Sequence, residues 1–340
     1  MAATTIANLW TPDIWIRGAN EKMRILPSLL TSGAVRQSPL FDEIANGGGI
    51  SANMPFFKDI TDDDDAIQVE GVAPTINNIT AGLNVTPILN REKAYGSNAL
   101  AAAVSDTDPV AVITDQIAIQ RQKRIQKTVL AVLRGLFNFS GAPAAAAALS
   151  ANRSDVSSET GASPAAGLII DTLKFNNAVA LLGELSSDLS GGAMWVHPLI
   201  RAALRNADEI AFEKSSKGEF ILETYKGIPL YVSNLLSRAG GTSGTVFDTY
   251  LIGAGAIGWG FKPQSSDVAV ASLQYYNRPD LNQEQLFDRI RYLVHVNGTR
   301  WGGTPAGQSA TNTELQTAAS WTLVASSADR VPVVQLRTNG

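Results

Sequence analysis

The sequence predicts an α+β fold, in which helices and strands follow one another without regular alternation. Two observations lead to this fold class: one long helical pattern covers residues 109–138, and short strand-like segments occupy much of the remaining chain. No internal repeat is visible, which also agrees with this fold class. With 340 residues, of which 45% are hydrophobic, the chain is long enough to bury a core.

The composition excludes several classes of function. A net charge of −4 argues against a nucleic-acid binder, and the lack of cysteine removes disulfides, thiolate catalysis and cysteine-held metal sites. Charged residues make up only 17%, against about 25% in an average globular protein, which favours permanent subunit contacts. We expect no signal peptide, and the longest apolar stretch, 142–149, is too short to cross a bilayer.

The first fifty residues have the pattern of an arm. Pro12, Pro27 and Pro39 interrupt this segment, and the glycines at 47–49 close it. Only short amphipathic pieces, such as 13–26, lie between these breaks. We therefore expect an arm that has no independent core.

The next segment predicts a long β-hairpin. The strand-like stretches at 54–59 and 79–95 are joined by a polar connection that contains four consecutive aspartates, 62–65. A two-stranded hairpin cannot bury its own faces, so it must lie on something else. The aspartates lack the spacing of an EF-hand, which favours a solvated loop tip over a cation site.

The long helix is the clearest element. Asp108 is a suitable N-cap and Pro109 a suitable first helical residue, and the helix runs to about Asn138. One side of it carries basic residues and the other is mainly apolar. The basic residues are Lys123, Arg124, Lys127 and Arg134. A solvated face is the simpler interpretation, and weak contact with packed DNA or an acidic neighbour is the functional one.

The second half of the chain mixes short helices and strands. After a loop at 139–170, we predict a helix from Thr172 to Leu189, a short buried strand at 194–197 and a third helix that begins at Pro198. Further strands are expected at 227–233, 249–253, 268–274, 289–296 and 331–336.

No motif in the sequence supports catalysis. The glycines of 253–258 match a dinucleotide fingerprint, but Pro263 stops the helix that a pyrophosphate site requires, so a tight packing turn is the better interpretation. His197 and His295 both lie in apolar strand patterns and are interpreted as structural. We predict no catalytic, cofactor-binding or metal-ligating residue and no cofactor.

Taken in order, a set of short segments resembles the major capsid proteins of tailed bacteriophages, which have the Hong Kong 97-like fold. The segments are Ser32-Gly33, MPFFKD (54–59), Ser105-Asp106 with Asp108-Pro109, LAVLRGLF (130–137), MWVHP (194–198), ETYKGIPLYVSN (223–234), YLIGAGAI (250–257), RIRYLVHVNGTRW (289–301) and SWTLVASSADRVPVVQL (320–336). They span nearly the whole chain, and their order is more specific than any one of them.

The resemblance implies a division of the chain into five parts. These are an N-terminal arm (1–50), an extended β-hairpin loop (51–100), a peripheral domain with a long spine helix (101–190), an axial domain (191–275), and return strands with a C-terminal segment (276–340). The arm and the hairpin, which cannot bury themselves, are then expected to lie against neighbouring subunits.

It also implies a structural role and no enzymatic one. Copies of the chain are expected to form pentamers and hexamers, assembled in the host cytoplasm into the icosahedral head of the virion around double-stranded DNA. Other expected partners are a portal, a separate scaffolding protein and decoration proteins, and no membrane. The expected inter-subunit contact residues are Trp10, Trp15, Asp62, Asp63, Asp64, Asp65, Arg91 and Lys93.

Two alternatives stay open at this point. The first is an encapsulin-like compartment, which keeps the fold and encloses cargo enzymes instead of a genome. The second is a nucleotide-binding enzyme that uses the glycines from Gly253 to Gly258.

Overall fold

The computed structural model describes the chain from Leu29 onward, with gaps. The described residues are 29–58, 60, 67–68, 70–71, 73, 76, 78–98, 109–137, 147–157, 169–207, 209–214, 220–238, 245–262 and 273–339. Several sequence-based expectations fall outside them: Trp10, Trp15, Asp62, Asp63, Asp64, Asp65 and the N-cap residue Asp108.

The fold is α+β, as the sequence predicts. In chain order the strands are β1 (Val35–Gln37), β2 (Ser51–Phe57), β3 (Ala81–Asn98), β4 (Arg153–Asp155), β5 (Ala193–Val196), β6 (Ile210–Lys214), β7 (Phe220–Tyr225), β8 (Ile228–Val232), β9 (Ser237–Arg238), β10 (Val246–Ile252), β11 (Ile257–Phe261), β12 (Leu273–Arg278), β13 (Gln283–Val296), β14 (Thr299–Trp301), β15 (Trp321–Leu323) and β16 (Val333–Thr338). The α-helices are α1 (Pro39–Asn46), α2 (Pro109–Leu136), α3 (Thr172–Ala180), α4 (Pro198–Asn206) and α5 (Asn312–Leu315).

Among the described residues, the strands form two eight-stranded sheets. The first has the order β1-β11-β13-β3-β14-β15, with β2 paired to β3 and β12 paired to β13. The second has the order β4-β16-β10-β5-β8-β7-β6, with β9 paired to β10. The second sheet joins strands of the expected axial domain to β4 and β16, which are distant in sequence.

Each sheet contributes to its own hydrophobic cluster. The larger cluster packs α2 against the first sheet and includes Leu133, Tyr292 and Trp321. The smaller cluster packs α3 and α4 against the second sheet and includes Phe175, Ile200 and Leu251. Strands β5 and β10 contribute residues to both clusters, because successive side chains of a strand point to opposite faces.

The expected helix from Thr172 to Leu189 is divided in two. The α-helix α3 stops at Ala180, and 3-10 turns follow over Gly183–Gly191. Gly183 has a positive φ of 52°, a conformation that an α-helix cannot contain. Apolar periodicity continues across this point, which is why it predicted one longer helix.

Part of the expected N-terminal arm packs within its own chain. Strand β1 pairs in parallel with β11, and Leu29 and Ala34 are fully buried in the larger cluster. The structure therefore departs from a coreless arm over residues 29–46, and Pro39, which was expected to interrupt the arm, is the first residue of α1. One helix ends at Gly47, where the sequence places its break.

Candidate functional site

The hairpin presents an unusual number of exposed apolar side chains. Strands β2 and β3 pair antiparallel from Ser51↔Pro87 to Phe57↔Ala81, and β2 pairs with no other described strand. Phe57 is 79% exposed and Ile79 is 62% exposed. Among the described residues of the hairpin, the exposed large apolar side chains are Phe57, Ile60, Ile67, Ile76, Ile79 and Leu83. Exposed apolar side chains that form a patch are typical of interaction surfaces.

The base of the hairpin is fixed by the same strand that forms its second arm. Beyond its pairing with β2, β3 continues against β13 from Ile88↔Leu293 to Asn98↔Gln283. The hydroxyl of Thr86 donates a hydrogen bond to the carbonyl of Val294 at 2.8 Å. The exposed apolar surface is therefore carried on a strand that is anchored in the first sheet.

Arg91 and Lys93, two expected inter-subunit contacts, differ in their surroundings. The guanidinium of Arg91 is half-buried and donates to the carbonyl of Ala310 and to the side chain of Asn312, within its own chain. Lys93 is exposed, and its ammonium lies 5.5 Å from the centre of the Tyr95 ring. Of the two, only Lys93 keeps its charge available to a neighbour; its contact stays a prediction.

The long helix is tied to the first sheet by a buried carboxylate. Asp288 on β13 has no exposed side-chain surface, and it pairs with both Arg121 and Arg124 of α2. Arg121 Nε lies 2.7 Å from Asp288 Oδ1. Burial lowers the pKa of both arginines, but not enough for a guanidinium to lose its proton. Both guanidinium groups therefore stay charged, and their pairing with Asp288 joins α2 to β13.

The four basic residues of α2 do not form one solvated face in the single chain. Lys123 is only 5% exposed, Arg124 is engaged by Asp288, and Arg134 donates to the carbonyl of Leu235 at 2.5 Å. Lys127 alone is exposed. The expectation of a solvated basic face is corrected in this respect, because α2 packs between the two sheets over its C-terminal half. Contact with DNA stays a prediction for Lys127.

The glycine-rich turn at 253–258 lacks the geometry of a dinucleotide site. Strand β11 follows it instead of a helix. The amides of Gly253 and Gly255 donate to the carbonyls of Pro332 and Gly33, so they are not available to a pyrophosphate. Gly255 has a φ of 65°, which only a glycine adopts readily. The packing-turn interpretation is correct, and the nucleotide-binding interpretation of this motif is wrong.

The two histidines have different roles. His197 caps α4, where its Nδ1 accepts a hydrogen bond from the amide of Leu199, and its ring lies 4.6 Å from that of Phe247. The expectation that His197 is a packed strand residue is therefore wrong. His295 does lie in a strand, β13, where it is 3% exposed. Burial lowers the pKa of His295 to about 4, so its imidazole is neutral at neutral pH.

Exposed apolar side chains also occur on the two helices that pack against the second sheet. Leu173 on α3 and Leu199 on α4 are both largely exposed. Close by in the fold, the buried carboxylate of Glu223 pairs with Arg201 and Arg205 of α4. The hydrogen bond from Arg201 lowers the pKa of Glu223, which holds α4 on β7 over the neutral pH range.

Metal and membrane functions find no support in the described part of the chain. No group of three or more histidine, aspartate or glutamate side chains there could hold a metal ion. No helix among these residues is both long and apolar enough to span a membrane.

Comparisons with solved structures identify the fold. The fold is that of phage capsid proteins: the chain is similar to the capsid of Ralstonia phage GP4, with a TM-score of 0.59 and 11% identity over 100% of this chain and 98% of that chain. It is also similar to the capsid of cyanophage Pam1, with a TM-score of 0.54 and 13% identity over 100% and 99% of the two chains.

In sequence, the chain is similar to the major capsid protein of Bacillus phage SPP1. The two are 26% identical over 328 residues, which cover 94% of each. No protein-family model matches the chain. These similarities confirm the predicted resemblance to tailed-phage major capsid proteins.

Sequence reasoning missed the cluster of Asp288 with Arg121 and Arg124. The one available signal was an aspartate inside the apolar alternation of residues 283–296, where a carboxylate needs a buried partner. The identity of that partner depends on how α2 crosses β13, and no local pattern encodes this crossing.

Proposed function

We propose that the chain is the major capsid protein of a tailed phage, a structural subunit without enzymatic activity. Many copies associate into a closed icosahedral shell around packaged double-stranded DNA, so the protein resides in the virion. The observation that carries the proposal is the set of exposed apolar residues on an anchored hairpin. A solitary protein would leave this surface in water, whereas a neighbouring copy would bury it.

The parts of the chain take the following roles in the proposal. Residues 1–50 supply an arm, and 51–100 form the extended loop. Residues 101–190 form a peripheral domain with α2 as its spine. Residues 191–275 supply the axial domain and 276–340 the return strands, with two exceptions to this division: β11 pairs within the first sheet and β16 within the second. Weak individual contacts suffice, because each subunit is held by several neighbours at once.

Other partners follow from the same proposal. In this proposal a portal, a scaffolding protein and decoration proteins are further partners of the shell. These partners are supported by the resemblance alone.

The test is assembly of the purified chain. We expect the full chain, produced with and without a co-expressed scaffolding protein over a range of salt concentrations, to yield closed particles in cryo-EM images. Rings or sheets of pentamers and hexamers would also support the proposal. Monomers under every one of these conditions would contradict it.

A further inference from the structure

The two faces of the hairpin differ in exposure. Successive side chains of a strand point to opposite faces, and the register of β2 and β3 places the odd-numbered residues of both strands on one face. The exposed part of that face, called the open face below, consists of Ser51, Asn53, Pro55, Phe57, Ala81 and Leu83. The opposite face, called the covered face, consists of residues that are buried or half-buried: Ala52, Met54, Phe56, Gly82, Asn84 and Thr86.

The covered face is in contact with its own chain. Toward the tip, the ring of Phe56 lies over Gly82, so close that a methyl group at Gly82 would be 2.5 Å from the ring. Toward the foot, the side-chain amide of Asn84 donates a hydrogen bond to Oδ1 of Asn297 at 3.2 Å. A partner therefore finds little free apolar surface on this face.

The outer edge of β2 is poorly suited to the addition of another strand. The amide of Lys58 donates to the carbonyl of Thr80 at 2.9 Å, so even-numbered residues of β2 direct their backbone groups to β3 and odd-numbered ones direct theirs outward. Pro55 is one of the outward residues, and it has no N–H to donate. A proline on an edge strand opposes extension of the sheet. We therefore expect the hairpin to bind through a face and not through this edge.

The open face continues a face of the first sheet that α2 covers in the body of the molecule. Leu89, an odd-numbered residue of β3, is 1% exposed and belongs to the hydrophobic cluster that α2 forms with this sheet. Over the hairpin, the described residues leave the same face exposed. The hairpin thus lacks the covering layer that the rest of this sheet face has.

The chemistry of the open face favours a protein partner. None of its side chains is charged, and its half nearer the tip is apolar, whereas Ser51 and Asn53 lie toward the foot. The core of a protein interface is depleted of charged residues and enriched in aromatic ones, and Phe57 supplies an aromatic ring here. Nucleic acid would require cations, which this face does not carry.

We infer that the hairpin docks on a second copy of the chain through its open face alone. The inference rests on the proposed shell function and identifies the side of the hairpin that makes the contact. A second copy has uncharged surface that can receive this face, because the exposed side chains on the outer side of α3 are Leu173, Asn176, Asn177 and Ala180. The second copy then covers the hairpin as α2 covers the body.

The test uses the lack of cysteine in the chain, which makes a single introduced thiol a unique probe. Ala81→Cys places a thiol on the open face, and Thr80→Cys places one on the opposite face at the neighbouring position; both positions are exposed in the subunit. The rate of maleimide labelling is measured for the unassembled subunit and for closed particles of each variant. Because the reaction requires an accessible thiol, we expect assembly to slow labelling at least about tenfold in Ala81→Cys and less than about twofold in Thr80→Cys.

Equal protection of the two thiols would overturn the inference, because both faces would then be enclosed, and so would protection of Thr80→Cys alone. Protection seen only in particles that retain the scaffolding protein would make that protein the occupant and would also overturn it. Closed particles in which neither thiol is protected would overturn the inference and leave the proposed shell function intact. Failure of the unaltered chain to form particles under any condition would overturn both. A loss of particles confined to Ala81→Cys, with normal unfolding of its isolated subunit, would support the inference.

Discussion

At the scale of single residues, Asp288 is the most consequential side chain of the fold. It has no exposed surface, and it pairs with Arg121 and Arg124 on a helix more than a hundred and sixty positions away in the sequence. A buried carboxylate between two guanidinium groups fixes a helix on a sheet while its charge is present. Removing the carboxylate leaves both guanidinium groups without a counter-charge in a poorly hydrated place.

We predict that Asp288→Asn lowers the free energy of unfolding by about 3 kcal/mol, because breaking a buried ion pair from one side leaves the arginines unpaired. Chemical denaturation of the purified subunit measures this. Asp280→Asn is the matched control: Asp280 pairs with Arg278 at 3.0 Å, but both are exposed. That variant should lose less than about 1 kcal/mol. Equal losses in the two variants would contradict the role given to Asp288.

His295 gives the fold a defined response to acid. Its folded-state pKa of about 4 lies below the ordinary histidine value of about 6.5. Between these values the unfolded chain binds more protons, so stability is fully present above pH 6.5 and is lost as the pH falls toward 4. The loss from this one group is about 3 kcal/mol.

We predict that the free energy of unfolding of His295→Gln falls less steeply than that of the unaltered chain as the pH is lowered. Urea unfolding at several pH values from 7.5 to 4, in phosphate-free buffer, should show the free energies of the unaltered chain and the variant converging as the pH falls. Carboxylates contribute equally to both proteins and cancel in the difference. A constant difference over the whole pH range would show that His295 does not titrate in this window.

At the scale of elements, the sequence correctly predicted the features that depend on local chemistry. The helix start at Pro109, the strand before Pro198 and the pairing of the two hairpin strands each follow from capping, breaking or alternation within a few residues. The division of the helix expected from Thr172 to Leu189 could not be predicted in this way, because the apolar period continues through Gly183. Partners that depend on tertiary crossing, such as Asp288, were beyond sequence patterns for the same reason.

Helix α2 meets the C-terminal segment at Gly135, and this element contact requires a glycine. A methyl group there would collide with the carbonyl oxygen of Leu315 and with the indole nitrogen of Trp321. That nitrogen donates to the same carbonyl at 2.8 Å, so the collision falls on a buried hydrogen bond. Helix propensity alone would favour alanine by about 1 kcal/mol, and the packing opposes it.

We therefore predict that Gly135→Ala destabilises the subunit by about 1–3 kcal/mol, the usual cost of overpacking. Gly302→Ala is the control, since a methyl group at Gly302 meets no atom within 4 Å. Thermal unfolding of both variants measures the difference. A Gly135→Ala variant as stable as the control would mean that α2 can shift away from Trp321.

At the scale of the whole molecule, the proposed function assigns stability and assembly to different parts of the chain. The two hydrophobic clusters surround α2 and the sheets, whereas the exposed apolar residues of the hairpin belong to neither cluster. Mutations in the clusters are thus expected to unfold the subunit, and mutations on the hairpin to act on association alone.

The double variant Phe57→Ser with Ile79→Ser tests this separation. We expect the free energy of unfolding of the isolated subunit to stay within about 0.5 kcal/mol of that of the unaltered chain, because both positions are largely exposed. We also expect at least a tenfold loss of closed particles. Light scattering and electron microscopy measure the second quantity. The conservative pair Phe57→Leu with Ile79→Val keeps the apolar surface and should keep assembly. Normal particle yield from the serine variant would show that the hairpin is not an assembly surface.

The continuity of β3 determines how the molecule responds to mechanical load. One strand of 18 residues, about 60 Å when extended, serves first as an arm of the hairpin and then as an interior strand of the first sheet. A pull along the hairpin is therefore transmitted as shear to the antiparallel ladder between β3 and β13, where many hydrogen bonds resist together. Peeling would instead break them one at a time. In the proposed shell, internal pressure that loads the hairpin is therefore borne by the ladder between β3 and β13.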